Sequence, residues 1–137
     1  MTAQNEFVDA FIQAALWSST YEHDDCNDCI EGMCNPSCDD GNYELSSDAA
    51  ATLARFAVLF FQRHQFTIAK AVTGSNEFSN AAQAGHDYWL TGQGHGAGFW
   101  DGDWNKKAAD ILDAASKNAP FEHMHFYVGA TQELEIG

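Results

Sequence analysis

The sequence predicts an α+β fold, with about four helices covering one face of a small antiparallel sheet made of two strand pairs, and an acidic, cysteine-rich loop. Three observations predict it. Apolar residues recur at helical spacing in two stretches of the first half, aromatic and β-branched residues cluster in the second half, and helices precede strands without a regular alternation. At 137 residues, 45% of them hydrophobic and 18 aromatic, the chain is expected to form one domain, residues 1–137, with a core of its own. No internal repeat and no flexible linker is readable.

The first helix follows from Phe7, Val8, Phe11, Ile12, Ala15 and Leu16 on one side and Gln4, Asn5, Glu6, Asp9 and Gln13 on the other, about three turns long and stopping near Trp17, where Ser18, Ser19 and Thr20 compete for its hydrogen bonds. From Glu22 to Glu44 the composition changes: eight carboxylates, no Lys or Arg, all four cysteines and few large apolar side chains. This stretch cannot build a core. Ser46 or Ser47 with Asp48 then caps a long helix running to about Val72, with Leu53, Phe56, Ala57, Phe60, Phe61 and Ile68 as its apolar stripe and Gly74 just past its end. It is expected to be the central helix. A shorter helix is expected from about Asn76 to Ala84, capped by Ser75 and stopped by Gly85.

The run from His86 to Asp101 has aromatic residues on either side of glycines 92, 94, 96 and 98 and predicts a hairpin. Asp103 is expected to cap a helix through about Lys117 with Trp104, Ala108, Ile111, Leu112 and Ala115 on its inner face, ended by Asn118 and Pro120. Strands are expected at His123–Val128 and Glu133–Ile136, joined by a turn at Gly129-Ala130.

Twenty acidic against six basic residues give a net charge of −14, which argues against binding DNA, RNA or an anionic membrane directly. The charge serves solubility, or it steers the protein toward a partner with a basic surface; Asp24, Asp25, Asp39 and Asp40 are the carboxylates expected at such a contact. With neither a membrane-spanning apolar stretch nor a basic leader, a cytoplasmic location is expected.

Cys26, Cys29, Cys34 and Cys38 have the spacing C-x2-C-x4-C-x3-C. Four thiolates in a segment without a core fit a closed, structural tetrahedral zinc site, in which coordination replaces burial as the source of order. Two disulfides or four reduced thiols are the alternatives. The spacing resembles a zinc knuckle, but Asp24, Asp25, Asp28, Glu31, Asp39 and Asp40 would repel phosphate.

His86, His95, His123 and His125 suggest a small metal- or ligand-binding site or an enzyme centred on the hairpin, provided the strand bearing the last two faces it. A His-x-His pair on a strand is more often simply exposed. The glycines match no nucleotide fingerprint, and no hydrolase or zinc-protease motif occurs. Tyr88, Trp89, Phe99, Trp100 and Trp104 offer an aromatic contact surface, of which Trp89 and Trp100 with His95 are the leading residues; core packing is the expectation for at least half of the five.

The blocks Ala15-Leu16-Trp17-Ser18-Ser19-Thr20, His86-Asp87-Tyr88-Trp89-Leu90-Thr91, Gly94-His95-Gly96-Ala97-Gly98-Phe99-Trp100-Asp101 and Phe126-Tyr127-Val128-Gly129 resemble a family of small phage and prophage proteins with no settled activity. This chain has Gly92-Gln93 where that family commonly carries Arg-Asn, so no role for that arginine transfers. Relative to the family, residues 22–44 look like an insertion. The resemblance implies a phage-type accessory protein, and with the charge it suggests a factor that binds and inhibits a host or defence protein with a basic nucleic-acid groove.

Overall fold

The computed structural model describes residues 2–18, 21–22, 33–34, 44–74, 78–94, 98–100, 104–131 and 133–137. Four helices, α1 (Ala3–Ser18), α2 (Ser47–Lys70), α3 (Asn80–Gly92) and α4 (Lys106–Ser116), accompany two short antiparallel pairs, β1 (Tyr21–Glu22) with β2 (Met33–Cys34) and β3 (Phe126–Val128) with β4 (Leu134–Ile136). The α+β class therefore holds. One strand pair stands where the sequence predicts it, and the other lies inside the acidic segment and not at the glycine-rich block.

Helix α2 forms for the reasons its sequence gives. The Ser46 side chain accepts from the Ala49 amide at 3.0 Å, and Leu53, Ala57, Phe60, Phe61 and Ile68 are buried along one face. It ends four residues before Gly74. Asn80 satisfies the last carbonyls instead of a left-handed glycine cap, its amide donating to Ile68 O at 3.0 Å and Ala71 O at 2.8 Å. At the same end Asn105 Oδ1 accepts from the Val72 amide at 2.8 Å, so it tethers α2 to the start of α4 and makes no cap bond of its own.

The expected hairpin at 86–101 is absent: residues up to Gly92 continue a helix that begins at Asn80, capped by Ser79 and not Ser75. Gly85 does not stop this helix. A methyl group there would collide with the Phe7 carbonyl, so the glycine permits the close crossing of α1 over α3. Nine of the 13 residues of α3 are buried against six of the 24 in α2, so α3 and not α2 is the most enclosed helix. Ala81, Ala84, Tyr88, Trp89 and Leu90 are all buried, leaving too narrow a solvent face, around Ala82 and His86, to mark a helical period.

The rings of Phe7 and Phe11 on α1, Phe60 on α2, and Tyr88 and Trp89 on α3 meet Phe121 in one cluster, with Phe60 and Tyr88 stacked at 3.7 Å between centroids and Trp89 and Phe121 at 5.0 Å. Each such pair contributes about 0.5–1.5 kcal/mol beyond the area it buries. Phe121 belongs to a turn, closed by Met124 N donating to Phe121 O at 3.1 Å, so strand β3 starts at Phe126 and His123 lies before it. On α4, Trp104 before the helix, Ala108 and Leu112 are buried as expected, whereas Ile111 and Ala115 face solvent.

Candidate functional site

Gln83, Asp87 and Thr91 are four residues apart and share one side of α3, a polar row on an otherwise apolar helix. Asp87 is 2% exposed. Its Oδ2 accepts from Trp104 Nε1 at 2.6 Å and from Gln83 Nε2 at 3.0 Å, and its Oδ1 lies 3.2 Å from His86 Nδ1. A buried carboxylate is tolerated only when its lone pairs are filled in this way. Thr91 Oγ1 accepts from the Phe99 amide at 3.1 Å. Gly98 sits directly against that hydroxyl with φ +142°, and a side chain there would strike it. On the other side of α3, Trp89 Nε1 donates to Ser18 Oγ at 2.8 Å, and Ser18 donates in turn to Ala14 O at 2.7 Å. The recognisable blocks of the sequence thus hold one another in place. Ser18 and Gln83 carried no functional signal in the sequence; a helical register through residue 92 would have put Gln83 in line with Asp87.

His86 belongs to the same cluster but reaches outward. With Trp17, Phe78, Gln13 and Gln83 it lines a groove of about 290 Å³ between α1 and α3, floored by alanines, and its ring lies 6.2 Å from that of Trp17. His86 Nδ1 faces Asp87 Oδ1, so Nε2 is the ring atom left for a ligand. His123 stands apart in its turn beside Glu122, and His125 adjoins the Gly137 backbone at the end of the β3/β4 ladder. The convergence of imidazoles expected on a hairpin therefore has no basis among the described residues, which assemble no group of three or more His, Cys, Asp or Glu able to hold a metal. His95 lies outside the described residues, as do Asp24, Asp25, Asp39, Asp40, Cys26, Cys29 and Cys38. Cys34 pairs with Tyr21 across β1/β2.

Of the five aromatics offered as a contact surface, Tyr88, Trp89, Phe99 and Trp104 are core residues and Trp100 is 58% exposed. Trp89 is fully engaged inside, so it is withdrawn as a contact residue. Burial pushes the Tyr88 phenol up to about 12.

Charge is strongly segregated. The chain has eleven carboxylates and no Lys or Arg before Arg55, three carboxylates and no Lys or Arg after Lys117, and six of each in between. The fold brings the two uncompensated parts together. Leu45 bridges Leu134, Leu134 N donates to Glu44 O at 2.8 Å, Ser46 Oγ donates to Glu135, and β1 lies beside β3. Both roots of the acidic segment, Glu22 and Glu44, are thereby joined to the strand pair that carries Glu133 and Glu135. No family model, curated protein or solved structure matches this chain. No helix among the described residues is long and apolar enough to cross a membrane.

Proposed function

We propose that the protein is a phage-type accessory factor that acts in the cytosol by protein–protein binding, presenting its carboxylate-rich end to a host protein with a basic, nucleic-acid-binding surface and inhibiting it. The observation that carries this reading is the segregation of charge, since the whole excess of −14 arises from residues 1–54 and 118–137. The spacing of Cys26, Cys29, Cys34 and Cys38 supports a structural zinc that would order the segment bearing Asp24, Asp25, Asp39 and Asp40. Resemblance of the sequence blocks to phage and prophage proteins supports the accessory role.

The test is capture from a host lysate on the immobilised protein at low and at high ionic strength. Basic proteins should be retained at low salt and released at high salt, and Asp24→Asn, Asp25→Asn, Asp39→Asn and Asp40→Asn together should slow association and flatten the salt dependence while dissociation changes less. Retention unchanged by salt and by the four substitutions would remove the acidic end from consideration. A second reading, small-ligand or metal binding, is favoured by one observation, the His86–Asp87 pair at the α1/α3 groove. It predicts ligand binding that is lost in His86→Ala, with the salt dependence of partner capture unaltered.

A further inference from the structure

The cations of this acidic protein are concentrated around one feature. Helices α2 and α4 run antiparallel: residues 66–71 lie beside 105–111, and residues 56–64 beside 115–120. Val72 and Asn105 tie the pair at one end through two hydrogen bonds. Two hollows of about 260 and 280 Å³ follow one another along the seam. Arg63, Lys70, Lys107 and Lys117 line them, and among the described residues not one Asp or Glu does, in a chain where carboxylates outnumber cations twenty to six. The apolar side chains at the same seam are left in water: Phe66 is 73% exposed, Leu59 51% and Ile111 41%. Leu59, Arg63, Phe66 and Lys70 also follow the 4-3-4 spacing of a single helical stripe, so apolar and cationic side chains alternate along it.

An exposed apolar stripe on a soluble helix marks a contact, and its charged margin indicates the partner. Nucleic acid fits poorly, since a duplex or single strand approaching four cations must also approach a molecule of net charge −14. A second copy fits no better. Isologous pairing of two seams would set each cation against its counterparts, and a head-to-tail contact with the acidic end of another copy would not close. The remaining match is a segment with carboxylates flanking an apolar stripe. Residues 56–71 measure about 22 Å along the helix axis, which accommodates about four turns of a partner helix.

We infer that the α2/α4 seam is a docking groove for an acidic amphipathic helix of another protein, seated on Leu59, Phe66 and Ile111 and flanked by Arg63, Lys70, Lys107 and Lys117. This surface is distinct from the carboxylate-rich end. With both, the molecule has two ends of opposite chemistry and can bridge two partners that would not bind each other.

The experiment titrates the full chain against a labelled synthetic helix of about four turns with Leu and Phe along one stripe and Glu on both flanks. A version with Lys in place of Glu and a single-stranded oligonucleotide serve as comparison probes. The acidic peptide should bind saturably, more weakly as salt rises, and the Lys peptide and the oligonucleotide should not bind. Arg63→Glu with Lys70→Glu and Lys107→Glu should weaken binding by tenfold or more, on the order of what reversing several contact charges costs. Phe66→Ala, at an exposed position where folding is safe, should weaken it by roughly tenfold and leave the salt slope intact. Equal affinity for the acidic peptide in both variants overturns the inference. So does preferential binding of the Lys peptide or the oligonucleotide, or self-association in sedimentation that the charge reversals abolish. The result is independent of the proposed function, because the substitutions at Arg63, Phe66, Lys70 and Lys107 leave Asp24, Asp25, Asp39 and Asp40 unchanged.

Discussion

The carboxylate-rich end and the α2/α4 seam differ in how their charge is assembled. At the acidic end the charge comes from runs, eight carboxylates between Glu22 and Glu44, and folding adds only the joining of those runs to the last strand pair through Leu45 and Leu134. At the seam the cations come singly from two helices whose sequences also contain Asp48, Asp110 and Asp113, and the feature exists because folding leaves those carboxylates outside the lining. A field made of neighbours in sequence is visible before the structure is known. A field made by sorting is visible only afterwards. The first acts at a distance and is screened by salt, while the second acts beside exposed Leu59 and Phe66, where desolvation on contact strengthens each charge.

The contrast presupposes one rigid body between the two regions, and its centre is the place to break it. Asp87→Ala leaves the Trp104 and Gln83 donors buried without an acceptor, at about 1–3 kcal/mol each, so urea unfolding should show a loss of several kcal/mol and weaken both surfaces together. A loss under about 0.5 kcal/mol, the usual effect of a surface change, would mean that Trp104 is held by something else. Gly85→Ala should cost about 1–3 kcal/mol by forcing α1 off α3, visible as a lower midpoint with an unchanged slope.

The proposed zinc would sharpen the comparison by acting on one side only. Protein prepared without added metal should carry about one zinc per chain, and chelation should change partner capture at the acidic end while the acidic peptide still binds the seam. Metal-free protein with four freely titrating thiols would defeat the zinc proposal.

The smallest effect expected is that of His64, which lines the seam. Burial against Phe60, then the Arg63 charge, holds its imidazole below the ordinary value. A depressed histidine costs nothing above its unfolded value of 6.5 and destabilises the fold as pH falls through and below it. Thermal unfolding from pH 7.5 to 5 should therefore fall less steeply in His64→Asn than in the parent chain.

Much of the fold was legible wherever a helix keeps one face in water. The stripes of α1 and α2 were read correctly from Phe7 and Phe11 and from Leu53 to Ile68 because polar residues alternate with them at the right period. Helix α3 was not legible for the opposite reason. Buried on nearly every side, it offers no period, and glycines at 85 and 92 imitate punctuation while serving close packing. Read as a strand, 86–92 puts His86 and Asp87 at a hairpin and hides the i, i+4 row of Gln83, Asp87 and Thr91. The seam was missed through Ile111, which the periodicity of α4 assigned to the inner face and the packing leaves outside.

The bridge from Leu45 to Leu134, with Ser46 bonded to Glu135, joins positions 89 residues apart. A ribosome delivers residues in order, so the helices α1, α2 and α3 and the whole acidic segment are available long before strand β4 exists to fasten the segment's base. During that interval the most charged part of the chain is tied to the growing core only through its flanking helices. Closing so distant a pair is a late step that slows folding.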